Sequence, residues 1–158
     1  MINLLIPILL LGFCPMKHQS FHEGLKKQFG KEYSVILVAA KRNDISDKDY
    51  ENLSILFAIR KAENGGHGKE FGVISNPRAI GRKDEPWTKT LDRQAGWAAA
   101  TIVKNRVRWK NAGEKVEYLR FLASRYAPIG AENDPTGLNN NWYSNTKHWR
   151  DRFMSVFD

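Results

Sequence analysis

The sequence predicts a mainly helical domain, and three observations carry that reading. Stretches between residues 46 and 157 repeat apolar residues at three- and four-residue spacing, the period of a helix with a buried stripe. Gly, Pro, Asn and Asp punctuate the breaks between them. The 158 residues, 42% hydrophobic and 27% charged, suit one ordinary globular domain, without internal repeats or low-complexity stretches.

Taken in order, residues 1–14 hold the apolar run Ile2 to Phe13, INLLIPILLLGF. It has the length of a signal h-region and falls short of the ~20 residues of a membrane-spanning helix. We expect an export signal or anchor-like segment, although no Lys or Arg precedes the run and no A-x-A site follows. Leu11-Gly12-Phe13-Cys14 loosely has the form of a lipidation box, with Phe13 where a small residue is wanted. A buried core segment is the alternative, as is a natural start at Met16. The expected location is exported (periplasmic, envelope-associated or secreted), or cytoplasmic or virion-associated for a start at Met16.

Residues 15–43 read as a basic tether or N-terminal extension. Lys17, His18, Lys26, Lys27 and Lys31 make residues 15–34 polar and basic, a tether or a solvated helix, and Val35–Ala40 is a short apolar run, a buried strand or the start of a helix. The helical domain is expected over 44–158. Its first helix can be capped by Ser46, with Asp47 and Asp49 favourable in the first turn. Tyr50, Leu53, Leu56 and Phe57 form one face, which Ile55, Ile59 and Ala62 widen, so the helix is buried on most sides. It ends at Glu63-Asn64-Gly65-Gly66, residues suited to the left-handed conformation. Residues 65–90 read as loop. Further helices are expected at about 92–110, about 114–126 and 141–157, the last anchored by Trp142, Trp149 and Phe153.

The charge balance is 25 Lys and Arg against 17 Asp and Glu, a net +8, with a pI near 9.7. Such a chain accumulates near polyanions: nucleic acid, an anionic membrane or an acidic cell wall. A basic soluble protein without such a partner is the bland alternative. The single cysteine, Cys14, excludes a disulfide scaffold within one chain and a Cys-rich zinc site. Gly65-Gly66-His67-Gly68 has neither the P-loop ending nor the dinucleotide spacing. His18, His22, His67 and His148 are scattered, so no metal site and no cofactor is expected.

Glu63 is the strongest catalytic candidate. A carboxyl group at a helix C-terminus meets the negative end of the macrodipole. Partial desolvation adds to that, and both effects raise its pKa towards the range of a proton donor. The Gly-rich loop after it would let backbone approach a substrate. An exposed Glu in a frayed last turn is the alternative. Tyr126 falls in phase with Leu119 and Leu122, so core packing competes with a site role. Trp142 and Tyr143 offer faces for sugar stacking or for the core. Asn139, Asn140 and Asn141 can bind polar groups or cap the last helix.

Phe57-Ala58-Ile59-Arg60-Lys61-Ala62-Glu63-Asn64-Gly65 resembles the catalytic-helix segment of the lysozyme-like lytic transglycosylases and muramidases. Phe71-Gly72-Val73-Ile74-Ser75 stands where that family has a Gly-Leu-Met-Gln stretch. Arg125-Tyr126-Ala127-Pro128 and Asn140-Asn141-Trp142-Tyr143 are similar to its cleft-lining segments. The resemblance covers about residues 52–149. Asn64 replaces the usual Ser, Ser75 the usual Gln, and an Ala-Tyr-Asn-Ala-Gly stretch is not visible.

The resemblance implies a lysozyme-like helical domain with a Gly-rich loop after the catalytic helix. It implies cleavage of the β-1,4 bond between N-acetylmuramic acid and N-acetylglucosamine, with Glu63 as general acid and base. It makes Gly72, Val73, Tyr126, Asn141 and Tyr143 substrate-binding, and peptidoglycan glycan strands the partner. A hydrolytic version needs a second carboxylate, for which Glu70, Asp84, Asp92 and Asp134 are nominal candidates. Membrane association would run through the N-terminal segment.

Two other classes stay open. One is a non-catalytic wall-binding, virion or envelope structural protein that keeps the fold. The other is a small basic nucleic-acid-binding protein, suggested by Lys104, Arg106, Arg108 and Lys110 beside Trp109. A solvated helix face explains that charge run more simply, so nucleic acid is the weaker partner.

Overall fold

A computed structural model describes residues 13–72, 84–132 and 134–158, with side chains from residue 16 onward. The apolar run 2–13, lipidation at Cys14 and the expected substrate-binding role of Val73 therefore concern residues or side chains outside the described residues. Those described form six α-helices and no strand: α1 (Phe13–Phe29), α2 (Glu32–Arg42), α3 (Tyr50–Glu63), α4 (Trp87–Asn111), α5 (Tyr118–Tyr126) and α6 (Trp142–Met154). Short 3-10 turns cover Leu138–Asn141 and Ser155–Phe157. No described helix is long and apolar enough to cross a membrane.

The core is built around α3. Seven consecutive residues, Leu53 to Ile59, are buried, so this helix shows the core more than one face. It lies against α2, α4 and α6, while α5 joins α4 to α6. Its N-cap is Asp49 rather than Ser46: Asp49 Oδ1 accepts the Asn52 N–H at 3.1 Å, and Ser46 Oγ instead accepts the Lys48 N–H in the preceding turn. A carboxylate at this end also complements the helix dipole.

Residues 15–43 correct the expectation of a tether. They fold as α1 and α2 and share the same core. Phe21 and Leu25, four residues apart on α1, are 1% exposed. Phe57 of α3 packs against Phe29, with ring centroids 4.9 Å apart, and stacks on Tyr33 at 5.8 Å. Burying each such ring contributes about 2–3 kcal/mol. Val35–Ala40 is helical, with Ile36, Ala39 and Ala40 inside. His22 is buried between α1 and the loop before α3. Its Nε2–H donates to the Asp47 carbonyl at 2.8 Å, and the Tyr33 hydroxyl lies 2.7 Å from Nδ1. Burial holds its pKa below the usual histidine range.

Other boundaries shift for local reasons. α4 begins at Trp87, directly after Pro86, five residues ahead of Asp92. α5 begins at Tyr118 rather than near 114. Gly113 and Glu114 both take positive φ, 79° and 54°, which no helix accommodates. Val116, expected on the buried stripe, is exposed, and its carbonyl accepts the Trp109 indole N–H. The basic run on α4 is divided. Lys104, Arg108 and Lys110 face solvent, whereas Arg106 bonds Asn52 Oδ1 at 2.7 Å and lies 3.3 Å over the Tyr118 ring.

Candidate functional site

Glu63 is the last residue of α3. Asn64 follows in the left-handed conformation, φ 45° and ψ 29°, and its N–H bonds the Arg60 carbonyl. The chain then doubles back through residues 65–72. At Gly65 a Cβ would stand 1.7 Å from the Lys69 carbonyl oxygen, so only glycine permits this turn.

Polar side chains from outside the turn hold it. Gln94 Oε1 accepts the Phe71 N–H at 2.8 Å, and Gln94 Nε2 donates to the Gly68 carbonyl. Glu70 is 4% exposed. Its Oε1 accepts the Gly68 N–H at 3.1 Å and the Thr90 hydroxyl at 2.7 Å. Arg60 donates to the Glu70 carbonyl at 3.2 Å and pairs both its Nε and Nη2 with Glu32, each at 2.9 Å. Helices α2, α3 and α4 thus converge on one short turn. Phe71, at its end, is buried in the core.

This fixes Gly72 against the Glu63 carboxyl. Its φ is +87°, and a Cβ there would lie 2.4 Å from Glu63 Oε2. On the other side, Trp142 Nε1–H donates to Glu63 Oε1 at 2.8 Å. Trp142 is 6% exposed and stacks on Tyr126, with centroids 5.1 Å apart and ring planes at 27°. The Tyr126 hydroxyl donates to the Phe71 carbonyl at 3.2 Å. A carboxyl oxygen, an indole, a phenol and a glycine backbone therefore form one connected unit, drawn from α3, α5, α6 and the turn.

The electrostatics follow from burial. Desolvation pushes the Glu63 carboxyl above its ordinary range, and the Trp142 bond opposes this only in part. Burial, with the nearby Glu63 charge second, holds the Tyr126 phenol well above its usual range, so it stays a neutral donor. A carboxyl group so placed can carry a proton at higher pH than a surface glutamate and release or recover it locally.

Glu63, Gly72 and Tyr126 lie close together, with the Tyr126 hydroxyl on the Phe71 carbonyl rather than on the Glu63 carboxyl. Asn141 is exposed at the end of the 3-10 turn. Tyr143 points its hydroxyl to Glu117 at 2.6 Å rather than to Glu63. It lines a separate cavity of about 460 Å³ together with Arg120, Asn139 and Asn140. Asn139 does serve a turn: its Nδ2 bonds the Pro128 carbonyl at 2.9 Å. Of the nominal second carboxylates, Glu70 is engaged inside the turn, Asp92 pairs with Arg42 at 2.9 Å, and Asp134 accepts the Leu138 and Asn139 N–H groups, each at 2.8 Å. Among the described residues no group of three His, Cys, Asp or Glu side chains is arranged to hold a metal ion.

Sequence reasoning missed the contact between Trp142 and Glu63 and the support from Gln94, Thr90 and Glu70. One signal was present: Thr90 and Gln94 stand four apart on the α4 face that also carries Leu91, Ala95 and Ala98. Polar groups on a buried stripe require partners. Comparison with protein-family models, curated proteins and solved structures finds no match to this chain.

Proposed function

We propose that the chain is a peptidoglycan-cleaving glycosidase of the lytic-transglycosylase or muramidase kind, acting on the β-1,4 bond between N-acetylmuramic acid and N-acetylglucosamine. The observation that carries this reading is the Glu63 carboxyl, desolvated at a helix end, oriented by Trp142 and closely approached by the Gly72 backbone. Protonated Glu63 donates to the leaving glycosidic oxygen as the sugar ring gains oxocarbenium character. The resulting carboxylate then takes a proton from the attacking hydroxyl.

We favour the single-carboxylate version: Asp92 and Asp134 are held by other contacts, and Glu70 is engaged in the turn through Oε1. There the sugar's own 6-hydroxyl attacks and an anhydro product forms. The net charge of +8 suits an anionic wall polymer. An envelope substrate also requires export, for which the apolar run 2–13 would serve. The test is turbidity loss of purified cell walls. The wild-type chain should clear them and Glu63→Gln should not; equal clearing by both would remove Glu63 from the mechanism.

A further inference from the structure

We propose that the cavity between the end of α5 and the start of α6 receives a carboxylate of the substrate, held by Arg120. The inference rests on the glycan-cleaving reading and adds to it a group that distinguishes muramic acid from glucosamine. The cavity, about 460 Å³, is lined by Arg120, Ala127, Asn140 and Tyr143 among others. Ala127 directly follows Tyr126, and Tyr143 directly follows Trp142. These two lining residues thus adjoin, in sequence, the two stacked rings, one of which bonds Glu63.

Arg120 is prepared for an anion yet lacks one. Its guanidinium carbon lies 4.3 Å from the centre of the Tyr143 ring. A cation–π contact of this kind holds the exposed guanidinium near the cavity and leaves N–H groups that can hydrogen-bond. No described carboxylate pairs with it. Glu117, three residues earlier in sequence, takes the Tyr143 hydroxyl at 2.6 Å and Arg150 at 3.4 Å. Asp134 is occupied by backbone N–H groups. A planar guanidinium beside a cavity can match the two oxygens of a carboxylate.

The rim is apolar. Ile129, which lines the cavity, is 75% exposed, and Leu138, adjacent to Asn139, is 72% exposed. These side chains suit the methyl groups that accompany a carboxylate in a lactyl ether or an alanine-containing peptide. Muramic acid carries the lactyl group at O3. Its carboxyl is either free or extended by a peptide that bears further carboxylates. A polymer of N-acetylglucosamine alone carries none. Arg120 would therefore select for muramoyl strands.

Binding to Glu63→Gln, which should leave the ligand uncut, provides the test. Three oligosaccharides are compared by calorimetry, with and without Arg120→Gln. They are chitohexaose, a muroglycan oligomer stripped of peptide so that the lactyl carboxylate is free, and the same oligomer with peptides attached. Arg120→Gln should weaken a carboxylate-bearing oligomer about five- to tenfold at low salt, less at high salt, and leave chitohexaose unchanged. Arg120→Lys should recover part of the loss. Weakening of the stripped oligomer alone assigns the lactyl carboxylate, weakening of the peptide-bearing one alone assigns a peptide carboxylate, and weakening of both shows that Arg120 takes either. No weakening of either, or equal weakening of chitohexaose, overturns the inference while wall clearing by the wild type leaves the glycosidase reading intact. No glycan binding and no wall clearing defeat both.

Discussion

Gly72→Ala tests the geometry of the acid most directly. The new methyl carbon would sit 2.4 Å from Glu63 Oε2 and 2.7 Å from Cδ. Ordinary contact begins near 3.4 Å, so the carboxyl or the turn must move by about 1 Å. Either movement separates Glu63 from its alignment with Trp142. A displacement of that size at a reacting group costs about 100-fold in rate. The φ of +87° adds about 1–2 kcal/mol of backbone strain for alanine. In a chain of this length that lowers the melting temperature by roughly 2–8 °C. Gly66→Ala is the control, because a methyl group there meets nothing within 4 Å. The assay pairs wall-clearing rate with calorimetric melting for both variants. Gly72→Ala should fold and lose at least about 100-fold in rate, with Gly66→Ala near wild type. A folded Gly72→Ala protein that clears walls within about threefold of wild type would refute the reasoning.

Trp142→Phe removes a hydrogen bond that favours ionised Glu63. The carboxyl should titrate higher still, moving the alkaline limb of the pH–rate profile upward while the rate falls about tenfold from lost orientation; an unmoved limb would count against it. Glu63 also shapes stability. Its folded-state pKa is raised, so its stabilising contribution is complete below the unfolded carboxyl value and is lost as pH rises through the folded value. Denaturant midpoints of Glu63→Gln should lack that decline and exceed wild type on the alkaline side. Gln94→Ala leaves the Phe71 N–H and Gly68 carbonyl unpaired, which should cost about 2–5 kcal/mol in urea unfolding. A loss under about 1 kcal/mol would show that the turn holds without it.

How much of this was legible depended on sequence distance. Helix α3 was readable because its apolar residues recur at helical spacing, and Glu63 because that pattern stops there. The N-terminal helices were hidden by a narrow stripe: α1 buries Phe21, His22 and Leu25 amid Lys and Gln. Such a segment reads as solvated until its partners are known. The pairing of Trp142 with Glu63 joins residues 79 apart. No local propensity encodes it; only the packing of α6 on α3 creates it. Tyr143 followed the reverse course. Its aromatic ring suggested sugar stacking, whereas its hydroxyl and ring are engaged by Glu117 and Arg120.

The indole at Oε1 has a regiochemical consequence. An indole N–H donates and cannot accept. When Glu63 is neutral, its acidic hydrogen therefore belongs on Oε2, the oxygen turned to Gly72. Two oxygens that are equivalent in free glutamate become unequal, one a tethered hinge and the other free to hold the proton, so under the proposed glycosidase reading a glycosidic oxygen would arrive from the glycine side.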